Sequence, residues 1–183
     1  MEAEGRQVCL KVVVLGASGS GKTGLLHRYV QNIFNPSSDE SIVPSFLSKV
    51  TQLDDRRVKL NIWEVGGPPR YGSLIKLYLR DTDCCVLVYD VKSRGSFETA
   101  EMWIEELERF ATTDSVALPP LVAVGSKVDL GETVGWSEGH TWARSHAAPL
   151  FLCSAKTSQG VEAAFQEIIR LGLSRKLKQL TPN

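Results

Sequence analysis

An α/β domain built from βαβ units, with helices on both faces of its sheet, is the fold class that this sequence predicts. Three observations support it. Short apolar, β-rich runs alternate with helical patterns along the whole chain. Two of the runs, CCVLVYDV (84–91) and PLVAVGSK (120–127), are apolar without interruption, as central parallel strands covered on both faces must be. The first run ends in a glycine-rich turn that leads straight into a helical pattern.

In chain order, CLKVVVLG (9–16) reads as a buried first strand, and KTGLLHRYV (22–30) carries apolar residues at helical spacing. SFLSKVTQL (45–53) and RRVKLNIWEV (56–65) alternate with period two around Asp54 and Asp55, which is a hairpin pattern. The runs at 84–91 and 120–127 come next, and PLFLCSA (149–155) is the last strand. SFETAEMWIEELERF (96–110) predicts an amphipathic helix with Phe97, Ala100, Trp103, Ile104, Leu107 and Phe110 along its inner stripe. WSEGHTWARSHA (136–147) is a weaker helical pattern, and GVEAAFQEIIRLGLSRKLKQL (160–180) is the final one. Its late Arg170, Arg175, Lys176 and Lys178 suit a helix C-terminus better than a membrane patch, because anchoring needs a second signal. With no internal repeat, low-complexity tract or linker, residues 1–183 are expected to form a single domain.

The 183 residues are 43% apolar and 23% charged, an ordinary globular composition. Lys plus Arg and Asp plus Glu both number 21, so no general field for nucleic acid or a membrane surface is built in. Cys9, Cys84, Cys85 and Cys153 lack metal-ligand spacing and read as buried free thiols, with Cys84 and Cys85 facing opposite sides of a strand. No apolar run is long enough to span a bilayer, and MEAEGRQ has none of the character of a signal peptide. Glu2 excludes the myristoylation pattern, and KLKQLTPN offers no cysteine for a prenyl group. The expectation is a cytoplasmic monomer with no lipid anchor in this chain, reaching membranes only through partners or a further tail.

GASGSGKT, Gly16 to Thr23, matches the pattern G-x-x-x-x-G-K-[ST] in the context that gives it meaning, after a strand and before a helix. Gly16, Gly19 and Gly21 allow a tight turn that brings backbone N–H groups of the loop, Ser18 and Ser20 included, onto phosphate oxygens. Lys22 is expected at the β- and γ-phosphates, and the Thr23 hydroxyl at Mg²⁺. Further on, GSKVDL places Ser126, Lys127 and Asp129 after a buried strand. A carboxylate there can accept two hydrogen bonds from guanine, which adenine cannot offer, while the Lys127 stem covers the base plane. In CSAK (153–156), the Ala155 N–H is placed to meet the guanine carbonyl.

With the phosphate loop, the hairpin, KLNIW, LVYDV, SKVD and SAK in this order, the chain resembles a Ras-superfamily small GTPase, closest to the Rab branch, over about residues 8–173. The resemblance implies a P-loop NTPase G domain: a six-stranded, mostly parallel sheet with one antiparallel edge strand and five helices on its two faces. It also implies GTP or GDP as ligand with Mg²⁺ as cofactor. Phe34 matches the aromatic that packs on the base, and Ser126, Lys127, Asp129, Ser154, Ala155 and Lys156 match the guanine motifs. Ser41 matches the metal-ligating position of the first switch, Glu64 the carboxylate that holds Mg²⁺ through water, and Gly67 the N–H that meets the γ-phosphate. Effectors and regulators would bind through 36–46 and 64–80.

The departures from the family pattern carry their own expectations. Ser126 replaces an asparagine that braces the base site against the phosphate loop, and the shorter side chain predicts a weaker brace by about 1 kcal/mol. Ile42, Val43, Pro44, Ser45 and Phe46 replace the usual Ile-Gly-Val-Asp-Phe, and Pro44 removes a backbone donor at the partner-facing edge. Glu64 stands for aspartate, which lengthens the side chain by about 1.5 Å. Pro68 stands where a glutamine orients the attacking water, and has no side-chain group for that task. The expected function is a GTP/GDP-dependent, partner-binding switch in signalling or vesicle traffic with impaired intrinsic hydrolysis and no confident catalytic residue. The alternative is a pseudo-GTPase interaction module with constant or absent nucleotide. A P-loop kinase for a small metabolite would need an Arg-rich lid that the sequence lacks. His27, His140 and His146 lie far apart with no acidic or thiol motif around them.

Overall fold

The computed structural model describes residues 7–37, 44–69 and 72–180. β1 (Val8–Gly16) leads through the glycine loop into α1 (Lys22–Gln31). β2 (Ser45–Leu53) and β3 (Arg56–Gly66) form the expected hairpin, with Asp54 at its tip in the left-handed region at φ 50°. α2 (Gly72–Leu79), β4 (Cys84–Asp90), α3 (Arg94–Asp114) and β5 (Leu121–Ser126) come next. α4 (Trp136–Ser145), β6 (Leu150–Leu152) and α5 (Val161–Leu180) complete the chain.

The six strands run in the order β2-β3-β1-β4-β5-β6. Among them the β2–β3 pair is antiparallel; β1 lies parallel to β3 and β4, β4 to β5, and β5 to β6. Because successive side chains on a strand face opposite ways, the sheet divides the core in two. Leu10, Val12 and Val14 pack with α1 and α5, whereas Val13 and Leu15 pack with α2, α3 and α4. Cys84 and Cys85 likewise point to opposite faces. On the first face, Tyr29 of α1 stacks flat on Phe165 of α5, with ring centroids 3.7 Å apart.

Several boundaries move from their sequence expectation for identifiable reasons. α3 begins at Arg94 rather than Ser96 because Ser93 caps it, accepting from the Ser96 N–H. β6 keeps only three residues in place of the run 149–155, since Cys153 to Ala155 leave the sheet for the loop at its edge. Cys9 is exposed, so buried thiols are confined to Cys84, Cys85 and Cys153. Burial raises all three, Cys85 and Cys153 to about 12, which leaves them unreactive thiols.

The basic residues late in α5 serve the fold. Lys176 pairs with Asp83 at 3.1 Å, and Asp83, only 2% exposed, also accepts the Lys11 N–H from β1. Arg175 donates to the carbonyls of Leu118 and Ala117, and Arg170 pairs with Glu167 on its own helix.

Tyr89 on β4 is fully buried between Phe97 and Trp142, and its hydroxyl has no hydrogen-bond partner among the described residues. A Cβ at Gly139 would come within 2.3 Å of that oxygen, so the glycine makes its room. Removing an unsatisfied buried hydroxyl sacrifices no bond and relieves a desolvation cost. Tyr89→Phe should therefore leave the unfolding free energy unchanged or raise it by up to about 1 kcal/mol in a urea titration. A clear fall would show that the hydroxyl has a partner.

Candidate functional site

The C-terminal ends of the parallel strands border a cleft of about 660 Å³, the position where open α/β sheets bind ligands. Its floor is the turn between β1 and α1. Gly19 and Gly21 adopt φ of 72° and 93°, where a side chain would be strained. A Cβ at Gly16 would lie 2.2 Å from the Val88 carbonyl. Gly21 is the N-cap of α1 and supplies no side-chain cap, and the first turn has no acidic residue. The first-turn N–H groups thus keep their positive end free for an anion.

Lys22 is 3% exposed, and its ammonium folds back onto the carbonyls of Ala17 at 2.6 Å and Gly16 at 3.1 Å. Burial holds it down at about 8 from its ordinary 10.5, against the upward pull of the Glu64 carboxylate, and Lys127 adds to the lowering. An anion beside Nζ would pull that value back up.

At the other end of the cleft, Ser154 Oγ donates to Asp129 Oδ1 at 2.6 Å and fixes the carboxylate where it borders the cleft. Lys127 donates to the Gly19 carbonyl at 2.6 Å and pairs with Asp90 Oδ2 at 2.8 Å, so its stem is stretched along the cleft wall. Phe34, Ala155 and Lys156 complete this end. Ser126 Oγ donates to the Ser20 carbonyl, so the brace expected to weaken is made. The serine reaches because Gly21 has no side chain; a Cβ there would lie 3.0 Å from Ser126 Oγ.

Around the second switch, Glu64 is 2% exposed and accepts from Thr23 Oγ1 at 2.5 Å and Ser45 Oγ at 2.8 Å. The Gly67 N–H, expected at a phosphate, donates here to the Gly16 carbonyl at 3.1 Å, and the Gly67 carbonyl accepts from Trp103 Nε1 at 3.0 Å. Ser41 and the stretch 38–43 of the partner segment lie outside the described residues, as do Arg70 and Tyr71. The Thr23 hydroxyl and Glu64 carboxylate are hard oxygen donors side by side, which suits Mg²⁺. No group of three or more His, Cys, Asp or Glu side chains that could hold a metal occurs among the described residues. Such an ion would draw its other ligands from water and phosphate, which is the habit of Mg²⁺.

Sequence reasoning misses three contributors. Arg28 donates from α1 to the Ala155 carbonyl at 2.6 Å and the Lys156 carbonyl at 3.3 Å. Trp103 reads in sequence only as core, and Asp90 only as strand. None has a local signature; only the fold brings them against Ala155, Gly67 and Lys127. Beside the cleft, Phe46, Trp63 and Tyr78 form a row of rings with centroids 4.8 and 5.7 Å apart, and Phe46 is half exposed.

A glycine loop with a buried lysine, opening a helix below a cleft at the strand ends, defines a P-loop nucleotide-binding domain of the G-domain type. The Ras family model matches residues 11–173. The chain is 37% identical over 179 residues to Ras-related protein Rab7 of Glycine max, covering 95% of this chain and 87% of the relative. It is 39% identical over 171 residues to the Ypt/Rab-type GTPase YPT7 of Saccharomyces cerevisiae, covering 91% and 82%. The chain belongs to the Ras family of GTP-binding proteins, on its Rab branch.

The depressed Lys22 gives a pH signature with a defined sign. Below about 8, folded and unfolded chains both carry the proton and the folded one bears the desolvation cost; between about 8 and 10.5 only the unfolded chain still binds it, so stability rises with pH. In ligand-free protein, Lys22→Met should be the more stable form at neutral pH. Its advantage over wild type should shrink as pH climbs through that window in parallel urea titrations. A pH-independent difference would refute the burial of a charged ammonium.

Proposed function

We propose that this protein is a guanine-nucleotide switch that holds GTP or GDP with Mg²⁺, acts through protein partners in signalling or vesicle traffic, and hydrolyses GTP very slowly on its own. The observation that carries the reading is the joining of the two ends of one cleft: Lys22 buried in the phosphate loop, and Asp129 fixed by Ser154, linked through Ser126 to Ser20. In this reading the N–H groups of Ser18 to Thr23 and Gly67 take the phosphates. Phe34, Lys127, Asp129 and Ala155 take the base, with Ser126, Ser154 and Lys156 supporting them. Thr23, Ser41 and Glu64 serve the metal, Glu64 through water.

Slow hydrolysis is the consequence of Pro68. Turning water into a nucleophile at a phosphorus requires a group that orients it, and proline offers no side-chain donor or acceptor. Partners would meet the segments 36–46 and 64–80, where the ring of Phe46 is exposed beside Trp63. In this reading it works as a cytoplasmic monomer that reaches membranes through partners or a further tail. A second reading, a pseudo-GTPase interaction module with constantly held or absent nucleotide, draws on the Gly67 N–H being engaged by Gly16.

Chromatography of nucleotide released from the purified chain separates the two readings: GDP or GTP is expected, and failure to bind either at micromolar concentration would favour the module. Lys22→Ala should cut affinity for fluorescent GDP severely, and unchanged titration would place the site elsewhere. In single-turnover assays, Pro68→Gln should raise the hydrolysis rate above a very slow wild type. A wild type as fast as ordinary Ras-type proteins would overturn the proposed role of Pro68.

A further inference from the structure

Glu64 and Ser45 stand directly opposite each other in the β2–β3 ladder. Each oxygen of the Glu64 carboxylate has its own donor: Thr23 Oγ1 to Oε1 at 2.5 Å, and Ser45 Oγ to Oε2 at 2.8 Å. Both donors are neutral hydroxyls, although the carboxylate is 2% exposed. The Lys22 ammonium, close enough to feel its charge, gives its protons to the Gly16 and Ala17 carbonyls. A buried carboxylate served, among the described residues, by hydroxyls alone is short of a cation.

We infer that Ser45 is a positioning residue for the divalent-cation subsite, holding Oε2 of Glu64 so that Oε1 is turned onto Thr23. The inference rests on the proposed binding of nucleotide with Mg²⁺. The glutamate side chain has one more torsion than aspartate, and a free carboxylate would spread over several rotamers. The Ser45 bond selects one of them, in the way that hydrogen bonds from outside a metal's own ligands fix ligand orientation. The pair is matched in size: an aspartate at position 64 would end about 1.5 Å short of the serine. Ser45 is also the first residue of β2, next to exposed Phe46, so the bond ties the cation subsite to the start of the partner-facing edge.

The test uses the full chain loaded with mant-GDP, with release followed from excess EDTA through rising Mg²⁺ to find the concentration that halves the rate. S45A should raise that midpoint about tenfold, with the rate in EDTA left as in wild type, and S45T should restore it. E64D should raise the midpoint as well, and adding S45A to E64D should move it no further, because the bond is already gone. An S45A midpoint equal to that of wild type would overturn the inference. So would equal acceleration at every Mg²⁺ concentration, EDTA included, which would mean that Ser45 supports the strand or the nucleotide and not the ion. A wild-type chain that takes up no mant-GDP would instead overturn the functional reading, and this one with it.

Discussion

A lysine ammonium, almost completely buried, organises the business end of this fold. Among the described residues, Lys22 satisfies its charge on the Ala17 and Gly16 carbonyls and not on a carboxylate. The Ala17 carbonyl also accepts the Ser20 N–H at 3.2 Å, which closes the loop, while the N–H groups of the first turn of α1 keep no side-chain cap. The loop can do this only because Gly19 and Gly21 accept positive φ and because Gly16 passes against the Val88 carbonyl without a side chain. The Gly16 carbonyl also accepts the Gly67 N–H, so the loop that holds the lysine and the start of the second switch share one acceptor. Whatever displaces one of the two donors is felt by the other.

The base-side end is braced by short, buried groups. Ser126 and Ser154 are nearly or fully inaccessible, one donating to the loop and the other to Asp129. Lys127 crosses the gap between Gly19 and Asp90, and Arg28 closes the far side on the Ala155 and Lys156 carbonyls. These bonds come from α1, β4, β5 and the loop after β6. The cleft is therefore a property of the whole sheet and not of one motif.

How much of this is legible in the sequence depends on how local each signal is. The two-residue period of the hairpin and the continuous apolar runs at 84–91 and 120–127 have strong local causes, and the strands stand where these place them. The phosphate loop is legible for the same reason, as Gly19 and Gly21 are demanded by the local backbone geometry. The Ser126 hydroxyl reaches the Ser20 carbonyl because Gly21, a residue distant in sequence, has no side chain in the way. Arg28 and Trp103 reach the site across 127 and 36 positions of the chain, and no periodicity announces such a contact. Ser45 is closer to view. The hairpin centred on Asp54 and Asp55 sets it opposite Glu64 by simple register, and only its consequence for the carboxylate needs side-chain geometry.

The second switch is biased rather than locked, and magnitudes decide the point. Gly67 is held at both ends, its N–H by Gly16 and its carbonyl by the indole of buried Trp103, and the rings of Pro68 and Pro69 fix φ at the next two positions. A phosphate that claims the Gly67 N–H must break the bond to Gly16. A net hydrogen bond of this kind is worth about 1 kcal/mol, or roughly a factor of five in population. A charge-assisted bond from the same N–H to a phosphate oxygen is about twice as strong as a neutral one. The exchange therefore favours the anion, while the Trp103 bond can persist because it engages the opposite side of the same residue. Gly67 has φ of 90°, and among the described residues nothing lies within 4 Å of where a Cβ would stand. Pro68 and Pro69 offer no side-chain donor or acceptor, and that exchange needs none, because the Gly67 backbone alone makes it.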